Sequence, residues 1–387
     1  MRSTRKALGL AAAAAIIFGA CSGGGGTTSP GPSGSAGAGG GAMTPIKFVL
    51  QWVPDSQFAA YFAAIDQGYF TAQGLDVTIV NGGPDVNPMT VVASGGAQMG
   101  QTWVPKMLAS REGGTDLVDI AQLFQRSGTL EISFKDKNLD SIADLKSKKV
   151  GTWLGGNEPE LYADLTKNSI DPTKPSDVTI VKQGFDMSQI LTGEQNASDP
   201  NGIDAAEAMI YNEYAQVLEA TNPKTGNLYT PADLNVINFN DDGVGMLQDM
   251  IFASAKWLAT GSNADVATKF LVASYQGWIY CRDNEDACVQ SVLKHGSQLG
   301  ASHQTWMLNE VNALIWPSPD GIGMLDTAAW NQTVEIAVKY GVLKNKPTDG
   351  AYRTDLAQKA LSELGPSVDT KGASFKTSTV TLKPGGD

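Results

Sequence analysis

From residue 46 onward, segments whose apolar residues repeat every two positions, as in a strand, alternate with segments whose apolar residues repeat every 3.6 positions, as in a helix. The segment IKFVLQWV, residues 46–53, is rich in β-branched and aromatic residues and predicts a strand. A helix with one face on a sheet is predicted next by the i, i+3, i+4, i+7 spacing of Phe58, Tyr61, Phe62 and Ile65. The alternation continues to about residue 239. It indicates an α/β protein with parallel, doubly wound sheets.

The strand and helix segments fall into two sets, and a helical region follows them. The first set ends near Ser127, and the second runs from about Leu130 to the segment VINF, which ends at Phe239. After Gly243, apolar residues at helical spacing dominate. Late helices usually rejoin the first lobe in two-lobed proteins of this design, so we expect two crossings between the lobes, near Ser127 and near Gly243, and a helical C-terminal part. The expected division is lobe I over residues 45–127 and 244–387, and lobe II over residues 128–243.

The N-terminal segment has the composition of an export signal. Three basic residues within the first six positions precede an apolar run over residues 7–20, which is shorter than the roughly 20 residues that span a bilayer. The run ends in Phe-Gly-Ala before Cys21 and resembles a bacterial lipobox, in which the cysteine carries acyl chains. We therefore predict a lipoprotein signal peptide over residues 1–20, followed by a lipidated Cys21 and a flexible tether over residues 21–44. An ordinary signal peptide with an incidental cysteine is the alternative.

Lipidation implies a location on the outer face of the cytoplasmic membrane, on its periplasmic or extracellular side. No second long apolar run follows, which predicts that the rest of the chain does not cross the membrane. Without the signal peptide the chain has 25 Lys and Arg residues against 40 Asp and Glu residues, a net charge of −15. This balance argues against nucleic acid as a partner, because phosphate binding needs clustered Lys and Arg.

Cys281 and Cys288 are the only cysteines after Cys21. In an exported protein, a pair this close predicts a disulfide that closes a small loop. Zinc binding is the alternative, but a zinc site needs further Cys or His ligands. The two histidines, His295 and His303, lie 7 and 15 residues beyond Cys288, so we predict no metal site.

Two blocks of sequence resemble a known family. The features of the first block, residues 51–103, are Trp52 and Pro54 after the first strand, Tyr61, Gly68-Tyr69-Phe70, Gly74-Leu75-Asp76-Val77 and the turn over residues 93–96. The second block, residues 203–214, contains Tyr211-Asn212-Glu213. Both resemble the ABC-importer solute-binding proteins for aliphatic sulfonates, nitrate, thiamine pyrimidine precursors and riboflavin. The resemblance implies a type II periplasmic-binding-protein fold, in which two doubly wound lobes are joined by a two-strand hinge and close over a small-molecule ligand. We expect a monomer that delivers this ligand to an ABC permease in the membrane.

In doubly wound sheets the ligand crevice lies beyond the carboxyl ends of the strands. The aromatic residues that begin the loops there, and that could stack on a heterocycle, are Trp52, Trp103, Trp153 and Tyr211. The polar residues expected to bond to the ligand are Gln57, Asn157, Ser188 and Asn212. Tyr61 joins the candidate site on the resemblance, and negative charge at the mouth is expected from Glu213, Asp55, Glu158 and Asp242. Alternatively, the aromatic residues fill the lobe cores, and the polar residues cap helices or face solvent.

The charges near these loops favour a neutral or weakly charged aromatic ligand of flavin or pyrimidine type. A small anion such as taurine, another aliphatic sulfonate or nitrate is the alternative, and it requires helix N-termini and a nearby Lys or Arg. The basic candidates near the matching blocks are Lys106 and Arg126, and both are expected to be surface or hinge residues. The first block is more similar to riboflavin binders than to thiamine-precursor binders. The latter commonly carry Asn and His where this chain has Asp55 and Phe58.

Catalysis and protein adhesion are the competing functions. Yeast relatives that make the thiamine pyrimidine carry a cysteine-rich iron motif, whereas this chain has no cysteine between Cys21 and Cys281. We expect His295 and His303 to lie in the helical tail, away from every crevice loop. An adhesion module needs an exposed apolar patch rather than a crevice. We therefore predict a binding protein that is not an enzyme and uses no cofactor.

Overall fold

The computed structural model describes residues 42–387. The predicted signal peptide, the lipidation at Cys21 and most of the predicted tether lie outside the described residues. Within residues 42–387, no helix has both the length and the apolar composition that crossing a membrane requires.

The strands of the described residues form two five-stranded sheets. They are β1 (Thr44–Val49), β2 (Leu75–Val80), β3 (Met99–Trp103), β4 (Leu117–Gln122), β5 (Thr129–Phe134), β6 (Lys149–Thr152), β7 (Thr179–Lys182), β8 (Ala205–Met209), β9 (Leu234–Asn238) and β10 (Asp249–Ser254). The strand orders are β2-β1-β3-β10-β4 and β7-β6-β8-β5-β9. In each sheet, the strand that enters from the other sheet, β5 or β10, runs antiparallel to both of its neighbours. The predicted α/β fold with two sheets is confirmed, but the pattern did not predict these antiparallel strands.

Helices flank both sheets and dominate the C-terminal part, as predicted. Between the strands they are α1 (Ala59–Asp66), α2 (Tyr69–Ala72), α3 (Pro88–Ala93), α4 (Val104–Glu112), α5 (Pro159–Lys167), α6 (Ser188–Gln195) and α7 (Glu213–Leu218). After β10 they are α8 (Ala255–Leu258), α9 (Asn263–Asp283), α10 (Glu285–Lys294), α11 (Ala301–Ile315), α12 (Thr327–Lys339) and α13 (Asp355–Leu364). Neither α11 nor α13 was predicted. The apolar spacing of α11 is interrupted by polar residues that the fold buries, namely His303, Gln304, Asn309 and Asn312.

The C-terminal helices contact the elements around both sheets. Helix α9 packs on α1 and α13, beside the first sheet, while α11 packs on α7 and α12 packs on both α4 and α5. The disulfide between Cys281 and Cys288 joins α9 to α10, with 5.1 Å between the two Cα atoms. The helical part therefore rests on both α/β units and not only on the first.

The chain crosses between the sheets twice, over residues 123–128 and 239–248, and both crossings are irregular segments rather than strands. Side chains join the two crossings. The Gly128 backbone N–H donates to Gln248 Oε1 at 2.8 Å, and Gln248 Nε2 donates to Ser127 Oγ at 3.0 Å. Ser127 Oγ in turn donates to Glu160 Oε2 of α5 at 3.0 Å. A buried polar network therefore joins the two crossing segments to each other and to α5, because leaving any of these groups unpaired would cost free energy.

Two buried glutamates lie side by side in the second sheet. Glu131 of β5 and Glu207 of β8 are register partners, and both are almost completely buried. Neither Glu131 carboxyl oxygen has a hydrogen-bond partner among the described residues, and Glu207 Oε1 has none either. Burial, and then the neighbouring Glu207 carboxyl, raise the pKa of Glu131 well above its usual range, and burial does the same to the pKa of Glu207. Both groups therefore favour their neutral, protonated form in the folded state.

Replacing Glu131 by Gln should flatten the pH dependence of stability. A carboxyl whose pKa is raised by folding binds more protons in the native state than in the unfolded state, so stability is lost as the pH rises above the unfolded pKa. We expect the free energy of unfolding of the unmodified protein to fall between pH 5 and pH 8. In Glu131→Gln this fall should be smaller, because the glutamine amide does not titrate and releases no proton on unfolding. Urea unfolding at both pH values measures it. Glu363→Gln, at an exposed position of α13, is the control, and equal slopes in all three proteins would contradict the prediction.

Candidate functional site

A cleft of about 660 Å³ lies between the two sheets, at the carboxyl ends of their parallel strands. From the first sheet it is lined by the loops after β1, β2 and β3, and from the second sheet by the loops after β6, β7 and β8. Volumes of this size are typical of small-molecule sites. The predicted crevice between the sheets is therefore present.

Most of the predicted site residues line this cleft. They are Trp52, Gln57, Trp103, Trp153, Asn157, Tyr211, Asn212 and Glu213. Their predicted contacts with a ligand remain predictions. Lining residues that the sequence did not single out include Thr102, Lys182, Phe185 and Met209.

Tyr61 does not line the cleft. Its ring is completely buried 4.5 Å from the ring of Phe48 and stacks on Phe270. Its hydroxyl donates to Gln101 Oε1 at 2.5 Å. Tyr61 is buried because the helical spacing places it on the sheet-facing side of α1. It therefore packs in the core next to the cleft and does not contact the cleft.

Ser188 also lies outside the cleft lining. It is exposed at the start of α6, where its hydroxyl donates to Asp186 Oδ1 at 2.6 Å. This local contact is the helix-start role that Ser commonly has. The same loop sends Phe185 into the cleft instead.

A buried carboxylate orders the first-sheet side of the cleft. Asp249, completely buried on β10, accepts hydrogen bonds from Gln57 Nε2 at 2.8 Å and from Trp103 Nε1 at 2.9 Å. Gln101 Nε2 donates to the same carboxylate at 2.5 Å. Burial raises the pKa of Asp249, while these three donors favour its ionised form. Because the indole N–H of Trp103 is used inside the protein, this residue presents its ring surface to the cleft.

Close packing of the loops after β1 and β2 requires a glycine. The Gly82 backbone N–H donates to the Trp52 carbonyl at 3.1 Å. A Cβ atom at Gly82 would lie only 2.6 Å from the carbonyl carbon of Gln51. Gly82 therefore lets the two loops lie side by side, which holds Trp52 at the edge of the cleft.

Aromatic rings from both sides meet at the mouth of the cleft. The ring centroids of Trp52 and Phe185 are 4.7 Å apart. Trp153 Nε1 donates to the Gly184 carbonyl at 3.0 Å, which fixes the indole against the loop that carries Phe185. Tyr211 lies edge-on to Phe124, with 6.1 Å between the ring centroids. The cleft thus has apolar, flat walls.

The expectation that Lys106 is a surface or hinge residue was wrong. Lys106 lines the cleft, and its Nζ lies 4.7 Å from the centroid of the Trp103 ring. The ammonium donates to Asn157 Oδ1 at 2.8 Å, which joins the first-sheet side to the second-sheet side. Burial lowers the pKa of Lys106 to about 8. Arg126, by contrast, does not line the cleft and donates to the carbonyl oxygens of Trp316 and Pro317.

His303 was expected to lie away from every crevice loop, and this was also wrong. It is completely buried on α11, and its Nε2 lies 3.0 Å from Oδ1 of the cleft residue Asn212. Its Nδ1 lies 2.9 Å from Glu219 Oε1. Sequence spacing could not reveal this contact, because α11 and α7 are far apart in the chain. His295 does lie elsewhere, 3.1 Å from Asp66.

The predicted acidic residues at the mouth occupy different places. Glu213 lines the cleft, its carboxylate accepts from Asn212 Nδ2 at 2.9 Å, and burial raises its pKa to about 7. Asp55 is buried outside the lining and caps the turn at Gln57 with a 2.9 Å hydrogen bond. Glu158 lines an adjoining cavity, and Asp242 lines neither cavity.

Residues 55–288, more than half of the chain, match the sequence profile of the family described as NMT1/THI5 like. This chain belongs to the NMT1/THI5-like family. The resemblance found in the sequence blocks is thereby confirmed.

Two bacterial relatives of this NMT1/THI5-like protein are named as binding proteins. It is 23% identical over 254 residues to the formylaminopyrimidine-binding protein of Halalkalibacterium halodurans. This alignment covers 65% of this chain and 71% of that protein. It is 24% identical over 313 residues to the riboflavin-binding protein RibY of Chloroflexus aurantiacus. This alignment covers 79% of this chain and 83% of that protein.

A yeast relative is named as an enzyme, the 4-amino-5-hydroxymethyl-2-methylpyrimidine phosphate synthase THI13 of Saccharomyces cerevisiae. The two chains are 28% identical over 171 residues, which is 44% of this chain and 49% of the synthase. The NMT1/THI5-like protein therefore matches about half the length of this relative.

Solved structures establish the fold. The periplasmic aliphatic sulphonate binding protein SsuA of Escherichia coli aligns with a TM-score of 0.59 at 13% identity, over 81% of this chain and 91% of that chain. The periplasmic nitrate-binding protein NrtA of Synechocystis aligns with a TM-score of 0.58 at 14% identity, over 89% and 94%. The predicted periplasmic-binding-protein fold is confirmed.

Replacing Asp249 by Asn should destabilise this NMT1/THI5-like protein. The amide keeps one acceptor oxygen and replaces the other by an NH2 group, so at least one of the three buried donors loses its acceptor, and a buried donor without an acceptor costs about 1–3 kcal/mol. We expect the free energy of unfolding in urea to fall by that amount. Asp241→Asn, at an exposed position of the second crossing, should change it by less than about 0.5 kcal/mol. Equal unfolding midpoints for the two variants would show that the Asp249 network does not stabilise the fold.

Proposed function

We propose that this protein is an extracytoplasmic solute-binding lipoprotein of an ABC importer, and that it captures a small aromatic heterocycle between two lobes. The observation that carries the proposal is the cleft itself, which is lined by aromatic side chains from both sheets. The relatives named as binding proteins for formylaminopyrimidine and riboflavin support this ligand class, since both compounds contain planar heterocycles.

The walls of the cleft suit a flat ring. The N–H groups of Trp103 and Trp153 are paired with Asp249 and Gly184, so the surfaces left for a ligand are ring faces. Aromatic pairs with suitable geometry contribute about 0.5–1.5 kcal/mol beyond the area that they bury. Asn157 and Glu213 lie among these rings and could bond to ring nitrogens and carbonyl groups.

A small anion remains the alternative ligand, and the observation in its favour is that two basic residues, Lys106 and Lys182, line the cleft. The ammonium of Lys106 is, however, already bonded to Asn157 and lies over Trp103. No arginine is among the cleft-lining residues of the described chain. A volume of about 660 Å³ also greatly exceeds the size of nitrate or taurine. These features favour the heterocycle.

We favour binding over catalysis on the extent of the relationships. RibY aligns with 79% of this chain, whereas the yeast synthase aligns with 44%. The residues that would bind a ligand are drawn from both sheets, as capture between lobes requires. We therefore propose that the protein is not an enzyme.

Closure of the lobes is the proposed mechanism. Lobe I would comprise residues 45–127 and 244–387 and lobe II residues 128–243, with the crossings around Ser127 and Gly243 as the hinge. Contacts across the cleft, Trp52 to Phe185 and Lys106 to Asn157, belong to a closed arrangement. A ligand that contacts both lobes stabilises this arrangement relative to an open one and shifts the population toward it. The closed monomer, anchored through lipidated Cys21, would then dock on a membrane permease.

The ligand class can be tested by the melting temperature of the purified protein in the presence of riboflavin, pyrimidines, taurine, alkanesulfonates or nitrate. A ligand that binds only the folded state stabilises it by RT ln(1 + [L]/Kd), so the melting temperature rises when the ligand concentration exceeds Kd. We expect a rise with a heterocycle and none with the anions. A rise with sulfonates or nitrate alone would refute the heterocycle.

Replacing Trp153 by Ala should weaken binding of that heterocycle by about tenfold or more, because losing a stacking partner removes about 1.4 kcal/mol or more. Isothermal titration calorimetry measures the change in Kd. Trp257→Ala is the matched control, since Trp257 lies on α8 and does not line the cleft. Unchanged affinity in Trp153→Ala would contradict stacking on this ring.

A further inference from the structure

A second cavity, of about 690 Å³, lies between α4 and α5 and adjoins the cleft. We call it the rear cavity. Four of its lining residues also line the cleft, namely Asn87, Met89, Lys106 and Gly155. The side chain of Lys106 therefore lies at the junction of two spaces that together are much larger than a single ring system.

The rear cavity differs from the cleft in that none of its described lining residues is Trp or Phe, and its apolar lining includes Met89, Pro105, Pro159 and Val342. Its polar lining is rich in hydroxyl groups, from Ser110, Thr173, Tyr162 and Tyr340, and includes the carboxylate of Glu158. Within the described residues, the hydroxyls of Tyr162 and Tyr340 donate to no acceptor. By contrast, Ser110 Oγ is hydrogen-bonded to Thr115 Oγ1 at 2.8 Å, and Thr173 Oγ1 donates to Asp171 Oδ1 at 2.7 Å. Glu158 uses Oε2 to accept from the Gly156 backbone N–H at 2.8 Å. Such a lining suits a chain with several hydroxyl groups rather than an aromatic ring.

The junction is built to let the two lobes approach closely. Gly155 and Gly156 have positive φ angles of 71° and 102°. A Cβ atom at Gly156 would lie 3.3 Å from Cγ of Lys106, so the glycine leaves room for the lysine side chain. The Lys106 ammonium can thus contact a group that passes between the cavities, with Asn157 as its partner in the absence of such a group.

We propose that the rear cavity is a second subsite, which receives a flexible, hydroxylated chain of the ligand whose planar ring occupies the cleft. The inference rests on the proposed function, and it specifies the ligand class as a heterocycle that carries a polyol chain. Lys106 contacts the chain where it leaves the ring, and Tyr162 and Tyr340 bond to its hydroxyl groups. Specificity is then divided between the two cavities: the cleft selects the ring and the rear cavity selects the chain.

Two probes separate the subsites: riboflavin, which has a ring system with a pentitol chain, and lumichrome, which has the corresponding ring system without the chain. Ala109 is an exposed residue of α4 that lines the rear cavity. Ala109→Trp should fill the cavity without disturbing the core. We expect it to raise the Kd for riboflavin at least tenfold and to leave the Kd for lumichrome within twofold. Ala287→Trp, at an exposed position of α10 away from both cavities, should change neither.

Tyr162→Phe tests the contacts with the polyol chain without adding volume. It should raise the Kd for riboflavin severalfold and leave the Kd for lumichrome unchanged. Calorimetry on the full chain gives each Kd. If Ala109→Trp weakens the binding of both probes equally, or changes the binding of neither, the second subsite is refuted while the proposed function stays intact. The second subsite would also be refuted if a pyrimidine without a polyol chain bound most tightly and its Kd did not change in Ala109→Trp. Binding of sulfonate or nitrate with no binding of any heterocycle would refute the proposed function itself.

Discussion

The buried carboxylate of Asp249 holds together the parts of the chain that build the cleft. Taking a carboxylate out of water is costly unless hydrogen bonds compensate, and here three N–H donors from the loop after β1 and from β3 do so. Asp249 lies on β10, the strand by which the chain returns to the first sheet after completing the second. The site therefore cannot be complete until the chain has crossed between the sheets twice.

Other long-range polar contacts act in the same way. Gln248 and Ser127 join the two crossing segments to Glu160, and His303 brings the C-terminal helix α11 into contact with Asn212. Each places a buried polar group where only a partner distant in sequence can satisfy it. In the buried pair Glu131 and Glu207, both carboxyl oxygens of Glu131 and Oε1 of Glu207 lack a partner among the described residues, and burial favours the neutral forms of both groups. Polar burial thus fixes the arrangement of the cleft, while apolar burial fixes the sheets.

The fold supports several ligand chemistries. Structures that share it include a sulphonate binder and a nitrate binder, and relatives in sequence are named for a pyrimidine and a flavin. Such variety is expected when a common scaffold presents different loops at the carboxyl ends of its strands. In this protein those loops carry Trp52, Trp103, Trp153, Phe185 and Tyr211. The ligand class therefore depends on the loops and not on the sheets.

The sequence by itself determined the alternation of strands and helices, the two-sheet architecture and the loops that meet at the cleft. The reason is that periodicity and family motifs can be read from residues that are close together in the chain. It also placed most of the lining residues correctly, since a residue that follows a parallel strand lies at a known edge of the sheet. Only the tertiary structure decided the rest. Tyr61 lies in the core because the sheet covers its face of α1, whereas Lys106 and Phe185 enter the cleft because the second lobe faces the first. Contacts such as Asp249 to Trp103 and His303 to Asn212 join residues separated by 146 and 91 positions, and no local pattern encodes such distances.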